Sequence, residues 1–224
     1  MSQRICFFGG TFDPIHNGHL RLAGNALDEC RLDQILFIPA AIPPHKTPAQ
    51  LTPFNDRVAM LKAALAGRRE YALSTIEGEL PAPTYTVDTV RYLRRQYAPE
   101  TLLFFLTGLD AFLDIATWKE YEILLRMVSF IVAEREGSDY QTRKQRLVER
   151  LGYRLNEGSW VAEDGRLPVV FLASPPLPLS SSLIRQRIRE GKAIDGMVPD
   201  AVRRCIEALN LYGSRESGLL ARSD

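Results

Sequence analysis

The fold is decided by the stretch Gly9-Gly10-Thr11-Phe12-Asp13-Pro14-Ile15-His16-Asn17-Gly18-His19. A short apolar run, residues 5–8, comes just before it and predicts a buried strand. Apolar side chains recur at helical spacing over residues 20–30, so the stretch is predicted to join a strand to a helix, with Asn17 as N-cap. Its glycines allow a ligand to approach the backbone closely, and the helix start directs free N–H groups and a positive dipole end at that ligand. The stretch is therefore predicted to hold phosphate.

Two histidines, His16 and His19, lie three residues apart near the predicted helix start and should share one face. Imidazole can donate a hydrogen bond to a phosphoryl oxygen, and it can do so in its charged form beside phosphate. Asp13 is interpreted as a turn-former that bonds nearby N–H groups. The competing interpretation is an ordinary glycine turn followed by surface or core histidines.

The overall composition is that of an ordinary globular protein. The chain has 224 residues, of which 46% are hydrophobic and 25% charged, and its net charge is +1. We expect one domain over residues 1–213 and a flexible tail over 214–224. The small net charge predicts no polyanion-binding surface and hence no nucleic-acid partner, and no apolar run approaches the length of a membrane span. The three scattered cysteines favour a reducing, cytoplasmic location without a targeting segment. The oligomeric state stays open, and a homo-oligomer is compatible with the sequence.

Apolar runs that predict strands alternate with helical patterns along the chain. The runs are residues 5–8, 34–38, 71–76, 101–107, 128–133 and 169–172. This alternation predicts an α/β fold with an open, mostly parallel sheet and helices on both faces. Ligands bind such sheets beyond the carboxyl ends of the strands, where the strand order reverses. Residues 152–167 are compatible with an extra hairpin or with a surface excursion.

A second candidate phosphate site is the run Ser180-Ser181-Ser182-Leu183-Ile184-Arg185, which is predicted to open a helix. Hydroxyls at a helix start, followed by an arginine one turn later, offer N–H, O–H and guanidinium donors to phosphates. A plain capped helix is the alternative. Lys46 lies in a proline-stiffened loop, for which an ordinary exposed loop is the alternative. Asp110 follows the Gly108 turn and would alternatively act as a helix cap.

The run G-G-T-F-D-P-x-H-x-G-H resembles the signature of the nucleotidyltransferase superfamily whose HxGH loop binds ATP. In its Gly-Gly-Thr-Phe-Asp-Pro form it is similar to the bacterial nicotinate mononucleotide adenylyltransferases. The resemblance extends from Gly9 to the C-terminal helix, except over residues 138–168. It implies a Rossmann-like, doubly wound fold. It also implies transfer of AMP from ATP to nicotinate mononucleotide, giving deamido-NAD and pyrophosphate in NAD biosynthesis.

The resemblance also implies roles for particular residues. The four catalytic residues would be His16, His19, Lys46 and Arg185. ATP would be bound by Gly9, Gly10, Thr11, Phe12, His16, Gly18, His19, Gly108, Asp110, Ser181, Ser182 and Arg185. The acceptor would be bound by Lys46, Thr84, Tyr85, Thr86, Trp118 and Arg135. The sequence departs from the family pattern in two places, where Ser182 replaces a threonine and Glu136 replaces a proline.

The acceptor pocket and the cofactor are expected on chemical grounds as well. A pyridine ring would stack on Trp118, with core packing as the alternative role for Trp118 and Tyr85. Mg²⁺ is expected to bridge phosphate oxygens, held mainly by ATP and water and without a dedicated protein metal site. Two other functions stay open at this point. One is an adenylyltransferase for nicotinamide mononucleotide or phosphopantetheine, and the other is a nucleotide-binding sensor without turnover.

Overall fold

A computed structural model describes residues 2–43, 47, 49, 51–134, 138–173 and 177–213. The strands are β1 Arg4–Gly10, β2 Gln34–Pro39, β3 Tyr71–Leu73, β4 Leu102–Gly108, β5 Ser129–Ala133, β6 Arg154–Asn156, β7 Ser159–Val161 and β8 Val169–Leu172. The helices are α1 Asn17–Glu29, α2 Phe54–Leu65, α3 Thr86–Arg94, α4 Leu109–Leu113, α5 Tyr121–Met127, α6 Ser138–Arg150, α7 Ser181–Arg189 and α8 Asp200–Ala208. Two short 3₁₀ turns cover Ile76–Gly78 and Ile115–Thr117.

The described strands form one sheet in the order β3-β2-β1-β4-β5-β8-β7-β6. β1 pairs in parallel with both β2 and β4, so the direction of winding reverses between β1 and β4. Ligands of open α/β sheets bind beyond the carboxyl ends of the strands at such a reversal. Here those ends are Gly10 and Gly108. The predicted α/β fold is confirmed, and the histidine stretch leaves the sheet at this reversal.

Alternate side chains of the strands enter two separate cores. Cys6 and Phe8 of β1 pack on one face with residues of α1, α2, α7 and α8. Ile5 and Phe7 pack on the other face with residues of α3, α4, α5 and α6. Successive side chains of a strand point to opposite faces, so an uninterrupted apolar run is required when both faces are covered. The structure thus confirms the predicted helices on both faces of the sheet.

One segment differs from the sequence prediction, and another decides between two alternatives that the sequence left open. The strand predicted over residues 71–76 stops at Leu73, where the chain turns toward the 3₁₀ turn Ile76–Gly78 and the Ser74 hydroxyl accepts a hydrogen bond from the Ile76 N–H at 3.4 Å. Residues 152–167 contain the hairpin β6–β7, which continues the sheet through antiparallel pairing of Trp160 with Val169. No helix of the described residues is both long enough and apolar enough to cross a membrane. The tail predicted over 214–224 lies outside the described residues.

Candidate active site

The first turn of α1 is capped by a histidine. His16 has extended backbone angles, and its Nδ1 accepts a hydrogen bond from the His19 N–H at 3.3 Å. In return the His19 Nδ1 accepts from the His16 N–H, also at 3.3 Å. The prediction of Asn17 as N-cap is therefore wrong. Asn17 is the first helical residue, and its side-chain amide donates to the Gly196 carbonyl at 2.8 Å, which joins α1 to the segment before α8.

The two imidazole rings lie stacked, with centroids 3.6 Å apart and an interplanar angle of 24°. Each Nδ1 accepts a main-chain N–H, so the proton of each neutral ring is assigned to Nε2. Reciprocal capping therefore fixes the tautomer of both rings. The result is a pair of adjacent Nε2–H donors at the carboxyl end of β1.

Burial favours the neutral form of both imidazoles. Burial lowers the pKa of His16 from 6.5 to about 4. Burial lowers the pKa of His19 well below its usual value, and the neighbouring His16 lowers it further. The charged form, which the sequence left open, would therefore need the charge of a bound phosphate to stabilise it.

The ring of Phe12 packs against the histidine pair. Its backbone is left-handed, with φ of 49°, and its ring is almost completely buried. The ring lies edge-on to His19 with centroids 5.0 Å apart. A side chain on Gly10 would place its Cβ 2.9 Å from the Phe12 ring. Gly10 thus makes room for a ring of the protein, and only the backbone of Phe12 could reach a nucleotide.

Gly18 makes room for the His16 ring in the same way. A Cβ at this position would lie 2.9 Å from His16 Nδ1 and 3.0 Å from its Cε1. The substitution Gly18→Ala should therefore displace the imidazole. On the predicted catalytic role of His16, it should lower kcat roughly tenfold, because small displacements of such groups are costly. Stability should change little, since a gain of about 1 kcal/mol in helix propensity offsets a capping loss of about 1 kcal/mol. Enzyme turnover and thermal unfolding measure the two effects.

Gly24→Ala is the matched control for that change. Gly24 lies on the same helix, and its Cβ would meet only the Tyr71 hydroxyl oxygen at an ordinary 3.7 Å. The control should stabilise the protein by up to about 1 kcal/mol and leave kcat unchanged. Equal turnover in the two alanine variants would contradict the proposed fit between Gly18 and His16.

The start of α7 packs against the loop that carries the histidines. Its N-cap is Ser180, whose hydroxyl accepts from the Leu183 N–H at 3.2 Å. The Ser181 hydroxyl donates to the Pro14 carbonyl at 2.9 Å. Arg185 donates from Nη1 to the Asp13 carbonyl at 2.6 Å. The structure thus brings the second predicted motif against the first, although about 170 residues separate them.

Arg185 also contacts its own helix, donating from Nη2 to the Ser182 hydroxyl at 3.3 Å. Ser182 is exposed at the helix start, and the serine that replaces a threonine here keeps a hydroxyl in that place. The carboxylate of Asp13 was predicted to bond main-chain N–H groups of its own turn. It instead accepts from the Thr52 N–H at 3.2 Å and from the Tyr212 hydroxyl at 2.6 Å, both far along the chain.

Arg57 is a residue of the site that the sequence reasoning missed. It is 1% exposed, and its guanidinium binds main-chain carbonyls of three loop segments. The bonds are to Thr11 at 2.8 Å, Ala40 at 2.7 Å, Ala41 at 3.1 Å and Thr52 at 3.0 Å. Arg57 therefore ties the loop after β1 to the loop after β2. The signal in the sequence was an arginine among apolar residues on the buried face of α2.

Glu77 is the second missed residue and lies beside Thr84, which was predicted to bind the acceptor. Its carboxylate accepts from the hydroxyls of Thr84 at 2.7 Å and Thr89 at 3.0 Å, and from the Ala41 N–H at 3.4 Å. Burial raises the pKa of Glu77, while the Thr84 and Thr89 hydroxyls oppose that rise. The hydroxyl of Thr84 is thus bonded inside the protein, and Thr84 is itself buried. Its predicted contact with an acceptor would have to use the main chain.

The other acceptor candidates lie near the start of α3 and before α5. Trp118 is half-buried and stands edge-on to Phe105, with centroids 6.0 Å apart. Tyr85 is the N-cap of α3, and the Lys119 ammonium lies 4.7 Å from the centre of its ring. Thr86 is the first residue of that helix. One side of the Trp118 ring therefore packs in the core, as the alternative role predicted for it requires.

The turn after β4 is open. Gly108 is the N-cap of α4, and a Cβ added there would meet nothing within 4 Å. Asp110 is exposed in the first turn of the same helix and is not its N-cap. A Cβ on Gly9, at the end of β1, would lie 3.1 Å from the Phe105 ring. Lys46 and Arg135, both predicted to contact substrates, lie outside the described residues.

Comparison with known proteins identifies similar chains. The model of the cytidylyltransferase-like family matches residues 7–187. A probable nicotinate-nucleotide adenylyltransferase of Thermus thermophilus is 41% identical, and the match covers 94% of this chain and 100% of the relative. A protein of the same description from Geobacter sulfurreducens is 38% identical over 91% of this chain and 95% of its own length.

A solved structure shares the fold. It is Plasmodium falciparum nicotinic acid mononucleotide adenylyltransferase complexed with NaAD, with a TM-score of 0.68 and 18% identity. The match covers 94% of this chain and 97% of that one. A second structure of the Plasmodium protein, complexed with APC, gives a TM-score of 0.66.

Proposed function

This chain belongs to the nicotinate-nucleotide adenylyltransferases of the cytidylyltransferase-like family, and we propose that it transfers the AMP moiety of ATP to nicotinate mononucleotide. The products are deamido-NAD and pyrophosphate, and the reaction belongs to NAD biosynthesis. One observation of the structure carries the proposal. The neutral donor pair His16 and His19 and the guanidinium of Arg185 converge on one loop, where the strand order reverses.

The reaction joins two anions and needs no side-chain nucleophile. A phosphate oxygen of the acceptor attacks the α-phosphorus of ATP, and the bond from that phosphorus to pyrophosphate breaks. The protein therefore acts by positioning the reactants and by stabilising charge. The Nε2–H groups of His16 and His19 would donate to the transferring phosphate as its charge develops. Both rings are neutral and held by the backbone, so these donors need little reorganisation.

The β- and γ-phosphates are assigned to the start of α7. Ser181, Ser182 and Arg185 supply hydroxyl and guanidinium donors beside the free N–H groups of the helix. Arg185 has five N–H donors, of which the contacts to Asp13 and Ser182 use two. Lys46 is proposed as a further cation on the triphosphate and acceptor phosphate.

The nucleoside and acceptor assignments follow the family pattern. ATP contacts are proposed for the residues of the first stretch and of the β4 turn, namely Gly9, Gly10, Thr11, Phe12, Gly18, Gly108 and Asp110. Acceptor contacts are proposed for Thr84, Tyr85, Thr86, Trp118 and Arg135. The main-chain N–H groups of this segment would take the nicotinate carboxylate, because the Thr84 hydroxyl is bonded to Glu77.

Mg²⁺ is proposed to bind with ATP rather than to a protein site. Among the described residues, no three His, Cys, Asp or Glu side chains group as a metal site would require. Within the histidine loop, both carboxylate oxygens of Asp13 accept hydrogen bonds from the protein. The ion fits as a partner of the triphosphate oxygens and of water, where it would neutralise phosphate charge. A reducing, cytoplasmic location is also proposed and is supported by the free thiols of Cys6, Cys30 and Cys205.

The proposal is tested by comparing acceptors. Purified protein with ATP and Mg²⁺ should release pyrophosphate with nicotinate mononucleotide, at a kcat/KM at least about tenfold above that with nicotinamide mononucleotide. Phosphopantetheine should be inactive. A preference for either of the other acceptors would contradict the proposed substrate. ATP binding by folded protein without pyrophosphate release from any acceptor would instead favour the sensor.

A further inference from the structure

The segment after α8 returns to the histidine loop. Its Tyr212 has a left-handed backbone, with φ of 64°, and its hydroxyl donates to Asp13 Oδ1 at 2.6 Å. The two residues are 199 positions apart. A left-handed backbone is strained for a residue with a side chain, so the surrounding structure must hold it in place. The bond to Asp13 is one contact that does so.

Asp13 connects four parts of the chain. It is 3% exposed and lies three residues before His16. Its carboxylate accepts from Tyr212 and from the Thr52 N–H, and its carbonyl accepts from Arg185. The orientation of one buried residue therefore sets both the main chain leading to His16 and the position of Arg185.

We propose that Tyr212 is a positioning residue for nucleotidyl transfer, whose phenol orients the Asp13 carboxylate and thereby the loop that presents His16 and His19 and binds Arg185. This part of the proposal rests on the proposed function. The phenol of Tyr212 acts through Asp13.

The chemistry of the pair suits a permanent contact. Burial and the Asp13 carboxylate raise the pKa of Tyr212, so its phenol stays protonated and keeps donating over the working pH range. Without the hydroxyl, Asp13 Oδ1 would be buried without this charge-assisted partner, and the carboxylate would turn to find another donor. A shift of the loop by a fraction of an ångström would then misalign the imidazoles and the guanidinium together.

The experiment compares Tyr212→Phe with Tyr153→Phe. Tyr153 is a buried tyrosine whose hydroxyl donates to the Leu167 carbonyl at 3.0 Å, and it packs in the core on the opposite face of the sheet from the half-buried Tyr212. The measurements are kcat, KM for ATP and the ¹⁵N imidazole signals of the histidines. The chain has three histidines, so His45→Gln in each background leaves only the signals of His16 and His19.

Tyr212→Phe should lower kcat about tenfold, change KM for ATP less, and shift the ring signals of His16 and His19. Tyr153→Phe should lower the melting temperature without changing kcat or those signals. Wild-type histidine signals in Tyr212→Phe would overturn the proposal, whatever the activity. Shifted signals in a protein that is inactive with every acceptor, wild type included, would support the positioning role and contradict the proposed reaction.

A second variant covers the case in which Tyr212→Phe does not fold. Asp13→Asn keeps the size of the side chain and replaces the carboxylate by a weaker acceptor. It should shift the same two histidine signals and lower kcat by a similar factor. Unshifted signals in a folded Asp13→Asn protein would overturn the proposal as well.

Discussion

His19→Ala is expected to lower kcat by about 10²–10³-fold while the protein stays folded. Removal of one donor that stabilises developing charge typically costs this much. The change removes the Nε2–H of His19 but leaves the His16 ring capping the helix, because the His19 main-chain N–H is still present to bond His16 Nδ1. Alanine is also the strongest helix former, which limits the loss of stability. Steady-state turnover with ATP and nicotinate mononucleotide, beside circular dichroism, measures both effects.

His19→Gln is the matched control. Its side-chain amide carries an N–H donor near the place of the imidazole Nε2, so it should restore part of the lost turnover. KM for ATP should change less than kcat in both variants, because the donor acts mainly on the transition state. Near-normal turnover in His19→Ala would refute the assigned role. Equal defects in the two variants would show that the ring matters for its shape and not for its donor.

The second large effect is a loss of stability on mild acidification. His16 has a pKa of about 4 in the folded protein and 6.5 when unfolded, so between these values the unfolded chain binds more protons. Stability is therefore fully present above pH 6.5 and falls as the pH drops through this range. His16 alone should remove about 2 kcal/mol between pH 7 and pH 5, and His19 should add to that loss. Protonation of either ring at Nδ1 would also break the reciprocal cap.

Urea unfolding at several pH values measures this effect, and His16→Asn is its control. Asparagine is a good N-cap and does not titrate, so the variant should fold and lose the roughly 2 kcal/mol of pH dependence that His16 contributes between pH 7 and pH 5, while the part due to His19 remains. Parallel profiles for wild type and His16→Asn would contradict the low pKa of His16.

The fold could be predicted because its signals are local. Each central strand is a continuous apolar run bounded by turn residues, and each helix shows its own periodicity. The hairpin β6–β7 gave no such signal, since Leu155 is 63% exposed and the strands have only three residues each. The 3₁₀ turn Ile76–Gly78 follows β3 closely, and the apolar pattern of residues 71–76 did not reveal it.

The site was only partly predictable, for a different reason. The histidine stretch and the serine run are contiguous motifs, and the sheet topology brings them together. Arg57, Glu77 and Tyr212 act on atoms that are distant in sequence, and Arg57 binds only carbonyls, which every residue possesses. Pairings of this kind follow from the assembled fold. The N-cap was misassigned because asparagine is the commoner cap and His16 takes the place through its ring.

Because of the reciprocal cap, the two histidines should tolerate substitution unequally. His16 caps the start of α1 and also belongs to the candidate site, so its replacement alters the helix and the site at once. The His19 ring accepts from the main-chain N–H of the N-cap residue, whereas the His16 ring caps the first turn of the helix itself. A silent version of the protein, able to hold nucleotides for structural or sensor work without consuming them, is therefore best engineered at position 19. For the same reason, a relative that evolves from an enzyme into a nucleotide sensor should lose His19 before His16.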